Sequence, residues 1–347
     1  MHDGKRIDRP ALFSTRFQFV EDEFAQQEGK SWIVFNAETP QQIAALKHLK
    51  PVIYQTFAPS VTDLQAAGYD VVQSMQSDFD VAVVLLPKAK ALSRHLIATA
   101  QKCTNSGLVI VDGQKDAGID PILKDIRKRT SLGGAVSKAH GKIAWFTGEV
   151  NLSDYFDSPN SLENDFKTVA GVFSADAADP ASELLLSVLP RLTGNVADLG
   201  AGWGYLTRNL IEMPTKRVIA VEADYRAIEI ARVNVSSDKV EFVWADATVW
   251  RADKALDTIV MNPPFHNFGK ADPGIGIDFI KTAVKSLKPQ GDCYIVANRH
   301  LPYEQTLNEL FQNMSKVTKD NRFKVLYASK PKREAEMKIT GTPRSVR

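Results

Sequence analysis

The stretch Asn262-Pro-Pro-Phe-His266 carries the residue types most suited to chemistry. Two successive prolines stiffen a loop and remove two N–H donors, which leaves carbonyl groups free to accept hydrogen bonds. The amide oxygen of Asn262 and the carbonyl of Pro263 can each take one N–H of an amine. An exocyclic amine on a heterocycle is a poor nucleophile because its lone pair is delocalised into the ring. Two acceptors draw such a nitrogen toward tetrahedral geometry and aim its lone pair at an electrophile. Phe265 can stack on the ring that carries the amine. Pro264 completes the rigid turn, and His266 could contact the base or orient the loop. The chemistry this implies is in-line displacement driven by positioning, without a metal.

The electrophile is suggested by Val196-Ala-Asp-Leu-Gly-Ala-Gly-Trp-Gly204. Gly200, Gly202 and Gly204 allow a sharp turn and a close approach of backbone to ligand. Dinucleotide enzymes use G-x-G-x-x-G, whereas here the third glycine comes one residue early, which disfavours a nicotinamide oxidoreductase. Asp198, ahead of the first glycine, suits a ligand with a cationic amino group. Glu222, 18 residues after Gly204, can accept two ribose hydroxyls. Asp246 can take an adenine amino group while the Ala247 N–H meets a ring nitrogen. Taken one at a time, such carboxylates are as often loop caps. Three at the carboxyl ends of successive strands point together to S-adenosylmethionine.

These residues need strands to carry them. Val196–Leu199, Arg217–Ala223, Val240–Ala245, Leu256–Met261, Cys293–Asn298 and Phe323–Ala328 read as strands. Helical patterns fall near Tyr205–Met213, Tyr225–Val235, Ile277–Leu287 and Tyr303–Phe311. The alternation predicts an α/β fold with a mostly parallel sheet covered on both faces. A short strand near Lys316–Lys319, with no helix before the next, predicts an antiparallel edge hairpin. The first half alternates likewise, and three of its segments echo the second half in order. FDVAVVLLP from Phe79, GLVIVDG from Gly107 and VSKAHGKIAWFTG from Val136 precede their echoes by 177, 184 and 181 residues. A near-constant offset indicates a duplicated fold. The first copy reads FNAETPQ in place of the glycine turn and LLPKAK in place of NPPF. It is therefore expected to be a degenerate copy, residues 1–160, kept for binding, ahead of a catalytic copy, residues 161–347. The connection falls in the polar stretch Val150–Lys167.

Bulk properties exclude several classes. With 44% hydrophobic and 24% charged residues, the chain is globular in composition. It has no run of about 18 uncharged apolar residues that would span a membrane, and its N-terminus lacks a secretion signal. Two distant cysteines suggest neither a disulfide framework nor a zinc site, which fits a cytoplasmic protein. A net charge of +2 leaves any nucleic-acid surface to local clusters. Candidates are Lys124, Arg127, Lys128, Arg129, Lys138 and Lys142, and the basic tail from Lys330.

The chain resembles the bacterial small-subunit (16S) ribosomal RNA guanine-N2 methyltransferases of the C type. The stretches that carry the resemblance are GVFSADAADPASELLL, VADLGAGWGYL, NPPFH with Phe265 and His266, IVANRHLPYEQTL and RFKVLYA. The Phe-His ending separates it from the NPPY of adenine-N6 and glutamine methyltransferases. The resemblance implies two tandem Rossmann-like (class I) methyltransferase folds, the first non-catalytic. It implies a reaction on guanine N2 in ribosomal RNA, presented as RNA or as a ribosomal subunit or assembly intermediate, by an enzyme expected to be a monomer. A sister group acts on large-subunit RNA with the same loop, and the loop chemistry alone would also accept adenine N6. Within the same fold, Phe173 and Ser174 could close over the cofactor, or Phe173 could be core.

Overall fold

The computed structural model describes residues 12–157, 159–264, 266–267, 270–271 and 273–332. Phe265 and the tail beyond Lys332 lie outside them. The chain divides into two compact units, Met1–Pro159 and Asn160–Arg347.

In the first unit the strands are β1 (Trp32–Phe35), β2 (Val52–Tyr54), β3 (Asp70–Val72), β4 (Val81–Leu85), β5 (Leu108–Gln114), β6 (Gly134–Lys138) and β7 (Gly141–Phe146). They form one sheet in the order β3-β2-β1-β4-β5-β7-β6. In the second unit they are β8 (Gly194–Leu199), β9 (Thr215–Glu222), β10 (Val240–Trp244), β11 (Leu256–Met261), β12 (Leu287–Asn298), β13 (Phe311–Lys319) and β14 (Phe323–Pro331). Their order is β10-β9-β8-β11-β12-β14-β13, the same arrangement repeated. Five strands of each sheet are parallel and the last two form an antiparallel edge hairpin. The two α/β folds foreseen from the echoes are thus both present.

Both faces of the second sheet are buried, and the residues show why. On β8, Val196 packs with Val218, Val260 and Val325 on one face, while Ala197 and Leu199 pack with Ile219, Ile259 and Leu326 on the other. Side chains alternate across a strand, so uninterrupted apolar runs are the signature of a doubly covered sheet. The helix Pro180–Val188 covers the first of these faces, Pro273–Ser286 the second. In the first unit, Leu12–Gln18 is the helix that precedes β1.

Several elements differ from expectation. β13 begins at Phe311, directly where the helix Tyr303–Leu310 ends, so it is longer than its sequence signal near Lys316. The helix Ala58–Ala66 has no apolar stripe to announce it; it buries Ser60, Val61 and Leu64.

Candidate functional site

Strand order reverses direction between β8 and β11, and in an open sheet ligands bind in the crevice at that point, outside the carboxyl ends. The sequence-predicted residues gather there. β8 ends at Leu199 and the chain turns at Gly200, whose N–H donates to Val221 O at 2.8 Å. Gly202 holds φ +55°, and a side chain there would project into open space. Gly204 has φ +91° with Ala231 close behind it, so the start of the helix Tyr205–Ile211 lies tight against the next helix.

Glu222 closes β9. Its Oε2 accepts from Gly202 N at 2.8 Å, and its Oε1 from Ala223 N at 2.7 Å and Asp224 N at 2.9 Å. A carboxylate offers about four lone-pair directions, all accepting, so capacity for ligand hydroxyls remains. Burial raises its pKa, opposed by those amides. Asp246 follows β10, and its Oδ1 is engaged by the N–H and hydroxyl of Thr248 at 2.9 and 2.6 Å. Ala247 is buried behind it.

Asp198, expected to suit a ligand with a cationic amino group, lies deep in the structure. It is fully buried under the turn, with Oδ2 accepting from Thr207 Oγ1 at 2.6 Å. Its Oδ1 has no partner. Burial first, and the charge of Glu222 after it, push its pKa up to about 7. A carboxylate that lines the cavity against the glycine turn is Asp179.

Asp179 and Ser182 were not foreseen as site residues. Asp179 caps the helix Pro180–Val188, accepting from Ser182 N at 3.0 Å. The sequence signal was a cap, Asp before Pro. Nothing local said that the cap also meets Asn262. Asn262 Nδ2 donates to Asp179 Oδ2 at 2.7 Å and to Ser182 Oγ at 2.9 Å. A carboxylate can only accept, so the amide must turn its NH₂ toward it. Both amide hydrogens are then committed, and Oδ1 is the end left to accept. Pro263 is buried and Pro264 exposed. His266–Asn267 pairs with Lys270–Ala271 in a short antiparallel ladder just beyond.

Two cavities meet at Asn262. One lies against the glycine turn and is lined by Gly200, Gly202, Tyr205 and Ser182. The other, about 150 Å³, is lined by Pro263, Ala297, Asn298 and Phe323. Phe173, Asp179 and Asn262 line both. Phe173 is 54% exposed, so it belongs to the mouth rather than the core. Its carbonyl accepts from Trp203 Nε1 at 3.1 Å. Among the described residues no cluster of three or more His, Cys, Asp or Glu could hold a metal, and no helix is long and apolar enough to cross a membrane.

The basic cluster of the first unit separates into two kinds. Arg129 binds Asp154 and Asp125, and Lys142 binds Asp120 at 2.6 Å, so both are spent on structure. Lys138 Nζ lies 3.9 Å from the Phe19 ring centroid. Lys124, Arg127 and Lys128 are exposed and in no close ion pair among the described residues, although the charge of Arg127 reaches Asp120.

The family model described as the methyltransferase small domain matches residues 163–327. Similarity to particular proteins extends further. The ribosomal RNA small subunit methyltransferase C of Shewanella pealeana is 31% identical over 262 residues, covering 71% of this chain and 76% of that protein. That of Shewanella denitrificans is 32% identical over 269 residues, covering 73% and 77%. The chain belongs to the ribosomal RNA small subunit methyltransferase C family. The T. thermophilus 16S rRNA N2 G1207 methyltransferase, solved in complex with AdoMet and guanosine, shares the fold at TM-score 0.71 and 24% identity, over 86% of this chain and 88% of that one.

Proposed function

We propose that this chain transfers a methyl group from S-adenosylmethionine to the exocyclic N2 of a guanosine in small-subunit ribosomal RNA. The observation that carries the reading is the clamped amide of Asn262, with both hydrogens held by Asp179 and Ser182 and its oxygen left as acceptor at the junction of two cavities. The residues fit the cofactor: an open backbone face at Gly202, an acceptor-only carboxylate at Glu222, and the Asp179 carboxylate lining the crevice beside the turn. Gly200, Gly202, Gly204 and Glu222 would hold its sugar and amino-acid ends, and Asp246 with Ala247 its base. When bound, the cofactor supplies an electrophilic methyl group on a sulfonium.

The protein's own part is positioning. Asn262 Oδ1 accepts one N–H of the substrate amine and the Pro263 carbonyl the other, which frees the nitrogen lone pair from the ring. Phe265 would press on the base, and Phe173 at the mouth would exclude water. The choice of ribosomal RNA and guanine follows the relatives whose names and bound guanosine are given above. The first unit would hold the RNA, with Lys124, Arg127 and Lys128 against phosphates. A ribosomal substrate implies a cytoplasmic enzyme.

Incubating the full chain with labelled cofactor and small ribosomal subunits, then digesting the RNA for mass analysis, tests this. N2-methylguanosine in small-subunit RNA is expected. N6-methyladenosine, or methylation confined to large-subunit RNA, would overturn it.

A further inference from the structure

Phe173 belongs to a segment whose attachment to the rest of the second unit plays no part in aiming the amine. Residues 169–178 form neither helix nor strand. The chain just before them is firmly rooted. The Phe166 ring meets Trp203 edge-on, with centroids 4.9 Å apart, and lies 5.6 Å from the Tyr205 ring. The Arg208 guanidinium covers Phe166 at 4.5 Å, and its Nη1 donates to Asn164 O at 3.0 Å. Asn234, the last residue of the helix Tyr225–Asn234, brackets Lys167. Its Oδ1 accepts from Lys167 N at 2.7 Å and its Nδ2 donates to Lys167 O at 2.8 Å.

Beyond this root the ties are single hydrogen bonds, spaced along the segment. Arg226 Nη1 donates to Ala170 O at 3.2 Å, Trp203 Nε1 to Phe173 O at 3.1 Å, and Thr168 Oγ1 to Ala175 O at 2.5 Å. Gly171, Phe173, Asp176 and Ala177 are exposed. Phe173 and Ser174 nevertheless line the cavity against the glycine turn. A fixed root and a lightly tied tip over a ligand cavity are the build of a strap that opens locally.

Trp203 joins that strap to the turn itself. It stands between Gly202 and Gly204 and is 3% exposed. Asn234 Nδ2 donates to its carbonyl at 2.7 Å, so its main chain is anchored to the same residue that brackets the root. The turn needs glycine on either side and nothing so large between. A buried indole can only donate, and it needs an acceptor. The acceptor here is a carbonyl of the strap, one residue from the wall of the cavity.

We infer that Trp203 is a positioning residue whose indole N–H latches residues 169–178 shut over the cofactor cavity, so that the cofactor enters and leaves when this latch opens. The inference rests on the function proposed above and assigns how the cofactor side of the same site is gated. A latch and a binding contact have different kinetic signatures. Losing a contact with the ligand speeds its exit and weakens its affinity. The latch instead joins two parts of the protein and holds with or without ligand. Weakening it raises the open fraction, and entry and exit then speed up by one factor while the dissociation constant stays in place. One neutral hydrogen bond shifts such an opening equilibrium by about 2- to 10-fold.

The test is surface plasmon resonance of S-adenosylmethionine on the immobilised full chain, giving both rate constants. Trp203→Phe keeps a ring beside Phe166 and Tyr205 and removes the N–H. Its entry and exit rates should rise together by about 2- to 10-fold, with a dissociation constant within about two-fold of wild type. Thr168→Val has nearly the same size, loses the hydroxyl bonded to Ala175 O, and should show the same paired rise. It also serves if Trp203→Phe fails to fold. Faster exit with unchanged or slower entry would make Trp203 an ordinary wall of the cavity and overturn the latch. Wild-type rates in both variants would overturn it equally. Failure of the underlying function would show separately, as a wild type that binds the cofactor and makes no N2-methylguanosine.

Discussion

The two units share one strand order and differ in how they use its open end. Register makes Asn36 the counterpart of Gly200, Gln55 that of Glu222, and Leu85 that of Asn262. Asn36 and Gly200 both take left-handed backbone, φ 65° and 79°. Asn36, however, donates its side chain to Leu85 O at 2.9 Å, a bond across the crevice itself. Gln55 donates to Ala37 O at 2.7 Å and accepts from Thr56 N and Phe57 N. In the first unit, then, the polar groups at the switch point are satisfied by the protein's own backbone carbonyls and N–H groups. In the second, glycine leaves the crevice open, and Glu222 and Asn262 keep acceptors uncommitted. Fold supplies the crevice, and function depends on which hydrogen-bonding capacity is left over within it.

The comparison breaks most completely if the closed copy binds cofactor. Met1–Pro159 has its own core, from Ile33 and Phe35 through Val109 to Phe146. Expressed alone, it should show no S-adenosylmethionine binding by calorimetry, and micromolar affinity would contradict the account. The next largest effect is at Glu222. Glu222→Ala should weaken cofactor binding by about 1.5–3 kcal/mol, since a charged acceptor is lost. Glu222→Gln, which installs the residue of the first copy, should lose less but still measurably. An unchanged dissociation constant in both would remove Glu222 from the cofactor site.

Asp198 has no buried acid counterpart on β1, where Val34 stands in register. Its pKa, about 7 when folded, lies above the ordinary 3.8, so the folded state holds a proton that the unfolded state gives up. This contribution to stability is complete below pH 4 and is lost as pH rises through 7. Asp198→Asn should therefore be more stable than wild type at pH 8, by about 2–4 kcal/mol, and the gap should close toward pH 4. Urea unfolding across that range measures it; parallel pH curves for the two proteins would mean the proton is held elsewhere. The smallest effect concerns the first unit's surface. Replacing Lys124, Arg127 and Lys128 by Gln should raise the RNA concentration for half-maximal rate several-fold and flatten its salt dependence. Arg129 is left in place because its ion pairs are structural. Unaltered RNA dependence would put the docking surface elsewhere.

Much of this was legible in sequence because it is local. The glycine turn, the Asn262-Pro263-Pro264 loop and the carboxylates at strand ends are contiguous or follow strand by strand. The duplication was legible because buried strands repeat at a steady offset. What stayed hidden depends on chain segments meeting across the sheet. Asp179 and Asn262 are 83 positions apart, and Arg16 and Asp112 are 96 apart. Asn298 and Phe323 face one another only through antiparallel register. The depth of Asp198 was hidden too, because sequence shows charge but not burial, which here comes with the helix that supplies Thr207.

The central claim is that the open copy acts by aiming an amine with the clamped Asn262 amide. Single-turnover methylation by Asn262→Ala, measured alongside cofactor affinity, tests it most directly. An acceptor used mainly in the transition state should cost about 10²–10³ in rate when removed, while S-adenosylmethionine binds nearly as before. A variant that methylates ribosomal RNA at the wild-type single-turnover rate would contradict the account.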